Sequence, residues 1–308
     1  MQSRDNGVFS VIDLGTNTCL LLVASMSNGK LNTLFEAQET PRIGRGIYDT
    51  HKISDEGFEK AREIFEKYKR ISDEYNVNEI NAFGTSALRD AGNSNEFVDF
   101  VKSKTGIGIR VISGSEEAEC AYLGAVYDLP EDDYAVIDIG GGSTEISCHE
   151  SSLLVNESVN IGSVRLTELF FQNGYSGEAL SGAVKFIDEH LDKLPLSAKG
   201  KNLVGVAGTL TTLSAIRLGL REFDIEKVHG DIISLSEVSE ITDRLIGMNE
   251  QERLSIGSYM KGRSDIIVLG ALILRELMKK LESGSVRISA RGLRYGLMLK
   301  LDAFSKSS

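Results

Sequence analysis

The sequence has no tryptophan and only three cysteines, Cys19, Cys120 and Cys148. Their number is odd and no CxxC pair occurs, so neither a disulfide framework nor a zinc knuckle is indicated; buried, reduced thiols in a cytoplasmic protein are expected. The four histidines, His51, His149, His190 and His229, fall far apart, with no HExxH and no adjacent His-Asp pair, which speaks against a histidine-based metal site. Long apolar runs are also missing. The longest near the N-terminus, Cys19 to Ala24, is far short of a membrane span, and the opening MQSRDNG lacks the charged-then-apolar layout of a signal peptide. Positive charge is in deficit, with 34 Lys and Arg against 45 Asp and Glu, a net −11. That balance argues against a membrane-surface or duplex-binding protein, and aromatics at 7% without Trp argue against nucleic-acid binding generally.

What is present is a chain of 308 residues, 41% hydrophobic, enough for about two domains with a core each. An internal repeat organises it. Val11-Ile-Asp-Leu-Gly-Thr-Asn-Thr18 matches Val136-Ile-Asp-Ile-Gly-Gly-Gly-Ser143 at an offset of 125. In the first copy Val8 to Ile12 reads as a buried strand, Asp13 to Thr18 as a polar turn, and Cys19 to Ala24 as the return strand. Asn28-Gly29 then forms a hairpin turn before Leu31 to Phe35. The second copy runs Tyr134 to Ile137, the Gly140-Gly141-Gly142 turn, Thr144 to Cys148, and Leu153 to Val159.

Helices and strands alternate after each meander. Ser54 is the expected N-cap of a helix to about Glu74, followed by strand Glu79 to Phe83, helix Ser94 to Ser103 and strand Ile107 to Ile112. The second half carries helices near Arg165 to Phe171 and Gly177 to Leu191, strand Asn202 to Ala207, and helices Thr209 to Leu218 and Asp265 to Leu281. Strand Val286 to Ser289 and a final helix Tyr295 to Phe304 close it. The class is α/β with sheets of mixed direction. Asp128-Leu-Pro-Glu-Asp-Asp133 is the best boundary.

A Gly-rich turn lets backbone N–H groups approach an anion, and Gly140 to Thr144 fits that need, as it also fits a plain hairpin turn. The duplicated Asp-x-Gly favours a phosphate chain with hydrated Mg²⁺, held by Asp13 and Asp138. Ser113-Gly-Ser-Glu-Glu-Ala118 opens a helix. Ser113 and Glu116 have capping-box spacing, which leaves Glu117 as either a solvated N-terminal charge or a general base. Arg89, after a strand, suits a phosphate or a surface pairing with Asp90 or Glu96. Gly205 to Thr212 is another strand-to-helix turn able to meet an anion.

Taken together, VIDLGTNT at Val11, GTSALRDA at Gly84, VISGSEEA at Val111, VIDIGGGSTEI at Val136, GSVRL at Gly162, GVAGTLTTL at Gly205 and ARGLRYG at Ala290 resemble the exopolyphosphatase / guanosine pentaphosphate phosphohydrolase (Ppx/GppA) family. The family lies within the actin, Hsp70 and sugar-kinase superfamily. The resemblance implies two RNase H-like lobes with an interdomain cleft, 1–128 plus 296–308 and 129–295. It also implies Mg²⁺-dependent removal of terminal phosphoryl groups from polyphosphate or guanosine pentaphosphate. In its terms Glu117 is the catalytic base, and Asp138 and Glu145 organise metal and water. Asp13 and Gly15, Thr16, Asn17 and Thr18 form the first phosphate loop; Gly140, Gly141, Gly142, Ser143 and Thr144 form the second. Arg89 holds the phosphate chain, and Gly208 and Thr209 match the nucleoside-side loop. Further candidate cations are Arg42, Arg45, Arg165, Arg263, Arg291 and Arg294.

Longer members carry an additional C-terminal helical region, whereas this chain stops at Ser308, so the short form and short polymers are expected. A homodimer is compatible with the resemblance. A kinase or ATPase of the same superfamily and a non-catalytic polyphosphate- or alarmone-binding regulator are the competing readings.

Overall fold

The computed structural model describes residues 7–27, 30–130, 132–151, 153–171, 177–193 and 196–306. The expected Asn28-Gly29 turn lies outside the described residues. The chain divides into two compact units, Met1–Gly124 with Leu293–Ser308, and Ala125–Gly292. The division falls in the last turn of the helix Gly114–Val126, so the acidic stretch around Pro130 belongs to the second unit.

The first unit contains strands β1 (Val8–Leu14), β2 (Cys19–Ser27), β3 (Lys30–Glu39), β4 (Glu79–Gly84) and β5 (Ile109–Val111), in the order β3-β2-β1-β4-β5. The first three form an antiparallel meander, and β4 and β5 join in parallel. The second contains β6 (Tyr134–Ile139), β7 (Thr144–Glu150), β8 (Leu153–Val159), β9 (Asn202–Val206), β10 (Ile232–Ser234) and β11 (Ser285–Ile288), in the order β10-β11-β9-β6-β7-β8. Apart from β10, an antiparallel addition at the edge, this is the first unit's topology again. The offset of 125 extends to register, for Leu14 pairs with Cys19 as Ile139 pairs with Thr144. β1 and β6 are the central strands and the most buried, as their near-continuous apolar sequences require.

The anticipated helices and strands are present, with ends shifted by at most four residues, the largest shift being the extension of β3 to Glu39. The short helices Ile47–Thr50, Ser86–Asp90, Ile225–Val228 and Glu250–Leu254 and strand β10 were not anticipated, and neither was the longer helix Leu235–Gly247. The helix had a readable start, because Ser234 and Glu237 form a reciprocal capping box.

Helix Asp55–Glu74 shows why the first site loop is held firmly. Ser54 Oγ accepts from Gly57 N, and Ala61, Phe65 and Tyr68 line one buried face at helical spacing. Burying Phe65 alone contributes about 2 kcal/mol. Tyr68 donates its hydroxyl hydrogen to the Cys19 carbonyl at 2.8 Å, which fixes the helix to the residue where the first loop ends.

The last helix, Leu293–Lys306, returns to the first unit. Leu293, Tyr295, Leu297 and Met298 pack with Val11, Leu22, Ala24 and Cys120. Gly296 is required by proximity, since a Cβ there would lie 1.8 Å from the Cys120 carbonyl oxygen. Gly296→Ala is expected to destabilise the protein by about 3 kcal/mol, read as a lower urea midpoint. An unchanged midpoint would mean that the helix does not pack there. Among the described residues no helix is long and apolar enough to cross a membrane.

Candidate active site

The two duplicated loops close with the same bond. Gly15 N donates to Thr18 O at 2.9 Å, and Gly140 N donates to Ser143 O at 3.0 Å. A later segment of the same unit then braces each loop by its carbonyls. In the first, Gly44 N donates to Thr16 O and Arg42 N to Asn17 O. In the second, Ser163 N donates to Gly140 O, Val164 N and Arg165 N to Gly141 O, and Arg165 Nε to Gly142 O at 2.8 Å. The acceptor ends of these peptide groups are thus engaged within the fold, which biases each loop toward donating to an anion. Gly162 permits the second brace, because a Cβ there would lie 2.4 Å from the Gly141 carbonyl oxygen.

Around the first loop the structure brings Asp13, Glu117 and Arg89 into one unit. Asp13 sits near the end of β1 and is buried, and its Oδ1 has no hydrogen-bond partner among the described residues. Burial, and next the charge of Glu117, push its carboxyl up to about 7, against a smaller lowering by Arg294. Glu117 enters in the first turn of the helix Gly114–Val126 and is 8% exposed, so it is no solvated terminal charge.

Burial raises the Glu117 pKa above the usual carboxylate range, while the charge and hydrogen bond of Arg89 and a hydrogen bond from Thr85 pull it back. Arg89 Nη1 lies 2.6 Å from Glu117 Oε2 and also donates to the Ile112 carbonyl at 3.1 Å. Arg89 therefore pairs with neither Asp90 nor Glu96 in the way a surface arginine would. The capping box is only half formed. Ser113 Oγ accepts from Glu116 N, but the Glu116 carboxylate is bound by two Arg110 nitrogens instead.

In the second unit Asp138 and Glu145 are register partners on β6 and β7, and both are buried. Directly opposed residues of an antiparallel pair share a face with Cβ atoms about 5 Å apart. Glu145 Oε1 accepts from Ser158 Oγ at 2.8 Å. Thr144 Oγ1 donates to the Ile161 carbonyl and Thr209 Oγ1 to the Ile139 carbonyl, so both hydroxyls brace the loop region. Gly208 opens the helix Ala207–Arg217, and the Arg263 guanidinium rests on it so closely that a Cβ would lie 1.9 Å from Nη1. Burial pulls Arg263 down to about 10.

Of the other proposed cations, Arg294 pairs with Glu36 and Arg291 with Asp128, and Arg45 is exposed. Thr85 and Ser158 were missed. Thr85 stood inside a quoted motif, whereas Ser158 becomes visible only through strand register.

Asp13 tests the fit of a divalent cation. A buried carboxylate with an orphaned oxygen and a second carboxylate nearby is a hard-oxygen site of the kind Mg²⁺ takes. Among the described residues no group of three His, Cys, Asp or Glu could hold a metal alone.

Residues 22–303 match the sequence model of the Ppx/GppA phosphatase family. The chain is 32% identical over 96% of its length to a bifunctional 3-dehydroquinate synthase/phosphatase of Fusobacterium nucleatum, of which it spans 47%. It is 30% identical to exopolyphosphatase 2 of Mycobacterium tuberculosis, covering 95% of this chain and 98% of that protein. The crystal structure of an exopolyphosphatase from Cytophaga hutchinsonii superposes with a TM-score of 0.87 at 30% identity, covering 96% of this chain and 98% of that one.

Proposed function

The chain belongs to the Ppx/GppA phosphatase family, and on that premise we propose that it is an exopolyphosphatase. It releases the terminal phosphate of inorganic polyphosphate and, by the same chemistry, converts guanosine pentaphosphate to the tetraphosphate. The observation that carries this reading is the buried Glu117, raised in basicity and held by Arg89 beside the first loop. Three buried free cysteines suit a reducing cytoplasm.

Glu117 orients a water and takes its proton as oxygen attacks the terminal phosphorus, and the bridging P–O bond breaks so that the shortened chain leaves as an anion. Arg89 places positive charge beside that carboxylate; its Nε and Nη2, which bond to nothing among the described residues, are left for a phosphate oxygen. In each unit the loop N–H groups inside the closing bond, those of residues 16–18 or 141–143, donate to non-bridging oxygens. Positioning and charge stabilisation of this kind are what phosphoryl transfer mainly needs. In the first unit Asp13, and in the second Asp138 and Glu145, are the residues that would bind Mg²⁺, which supplies further charge neutralisation when bound.

Phosphate release should be measured in parallel with long polyphosphate, short polyphosphate, guanosine pentaphosphate and ATP, each with Mg²⁺. No release from any would sink the proposal, and acceptor-dependent ADP formation would favour a kinase. Gly162→Ala is expected to raise KM for polyphosphate about tenfold or more, because the added methyl meets backbone that cannot swing away. An unchanged KM would remove the second loop from substrate binding.

A further inference from the structure

Resting on the hydrolase reading above, we propose that Ser158 is a positioning residue for Glu145. β6, β7 and β8 place Asp138, Glu145 and Ser158 in one cross-strand row, since Glu145 is the register partner of both others. Ser158 reaches across from β8 and donates its hydroxyl hydrogen to Glu145 Oε1 at 2.8 Å. Glu145 is 2% exposed. A buried carboxylate is costly unless hydrogen-bonded, and a short side chain on a paired strand is a rigid donor for it.

The duplication supplies an internal control. At the offset of 125, the residue corresponding to Glu145 is Leu20, and the register partner of Leu20 on β3 is Gln38. The first unit builds the same meander with the same loop-closing bond, but its row is Asp13, Leu20 and Gln38, with no second carboxylate and no serine. The fold therefore does not require the pair; only chemistry at the second unit's row does. Ser158 fixes the plane of the Glu145 carboxylate beside Asp138 and so sets the direction in which its oxygens face a cation or a water.

The test compares wild type with Ser158→Ala and Ser158→Thr, with Gln38→Ala as the control from the other unit. Two readouts are taken across a Mg²⁺ series, polyphosphate hydrolysis and the Mg²⁺-induced rise in melting temperature. Ser158→Ala should lower kcat about tenfold and raise the Mg²⁺ midpoint about tenfold in both readouts, with KM for polyphosphate unchanged. Ser158→Thr, which keeps the hydroxyl, and Gln38→Ala should stay within about twofold of wild type, the scale of an indirect change.

A Ser158→Ala variant with kcat and Mg²⁺ midpoint both near wild type overturns the inference, as does a Thr variant as impaired as the Ala variant. If wild type hydrolyses no phosphate substrate, the hydrolase reading is what has failed. The melting series then decides alone whether Ser158 acts on Glu145.

Discussion

Glu117→Gln should lower the rate of polyphosphate hydrolysis by about two to four orders of magnitude while leaving the affinity for the chain close to that of wild type. The amide still accepts a hydrogen bond at the position where Arg89 Nη1 and Thr85 now meet the carboxylate, so the local geometry is kept and only the proton acceptor is lost. Glu116→Gln is the control. Its carboxylate is held outward by Arg110, and its loss should change turnover less than about twofold, as for a surface ion pair remote from the chemistry.

If Glu116→Gln were the damaging change and Glu117→Gln silent, the assignment of the base would be wrong. The acid limb of the kcat/KM profile should lie above the ordinary carboxylate range, because burial raises Glu117. Arg89→Ala should move that limb further up, since it removes the largest influence lowering it.

Asp13→Asn should have opposite effects on stability and on function. In the metal-free protein the Asp13 carboxyl is raised from 3.8 to about 7, so the folded state binds its proton more tightly than the unfolded chain does. Between those values stability falls as pH rises, and above about 7 the loss is complete, at most about 4 kcal/mol. Asparagine removes the buried charge. At pH 8 in EDTA the variant should therefore melt several degrees above wild type, whereas near pH 4 the two should nearly coincide. Millimolar Mg²⁺ should raise the melting temperature of wild type and not that of the variant, and hydrolysis by the variant should be close to background. A variant that melts below wild type in EDTA at pH 8 would show that Asp13 is not the strained, cation-seeking carboxylate its environment implies.

Much of the architecture was legible because it is written in local signals. The repeat at an offset of 125 announced two related units, and the structure carries it down to the bonds closing both loops. Ser54, the apolar face at Ala61, Phe65 and Tyr68, and the turn glycines all act within a few residues of themselves. What escaped was non-local. The half-formed capping box at Ser113 was misjudged because Arg110 competes for Glu116 from the preceding strand. Ser158 carries no motif at all, and its meaning comes from a register partner thirteen residues away.

By itself, then, the sequence determined the fold class, the duplicated loops and the residue types from which a phosphate site can be built, since periodicity, turn chemistry and spacing act along the chain. The tertiary structure decided which of two adjacent glutamates is buried, which arginine holds it, and which carboxylate is left with an orphaned oxygen. Those properties depend on desolvation and on charges brought together through space. Neither is set until strands and helices distant in sequence have packed.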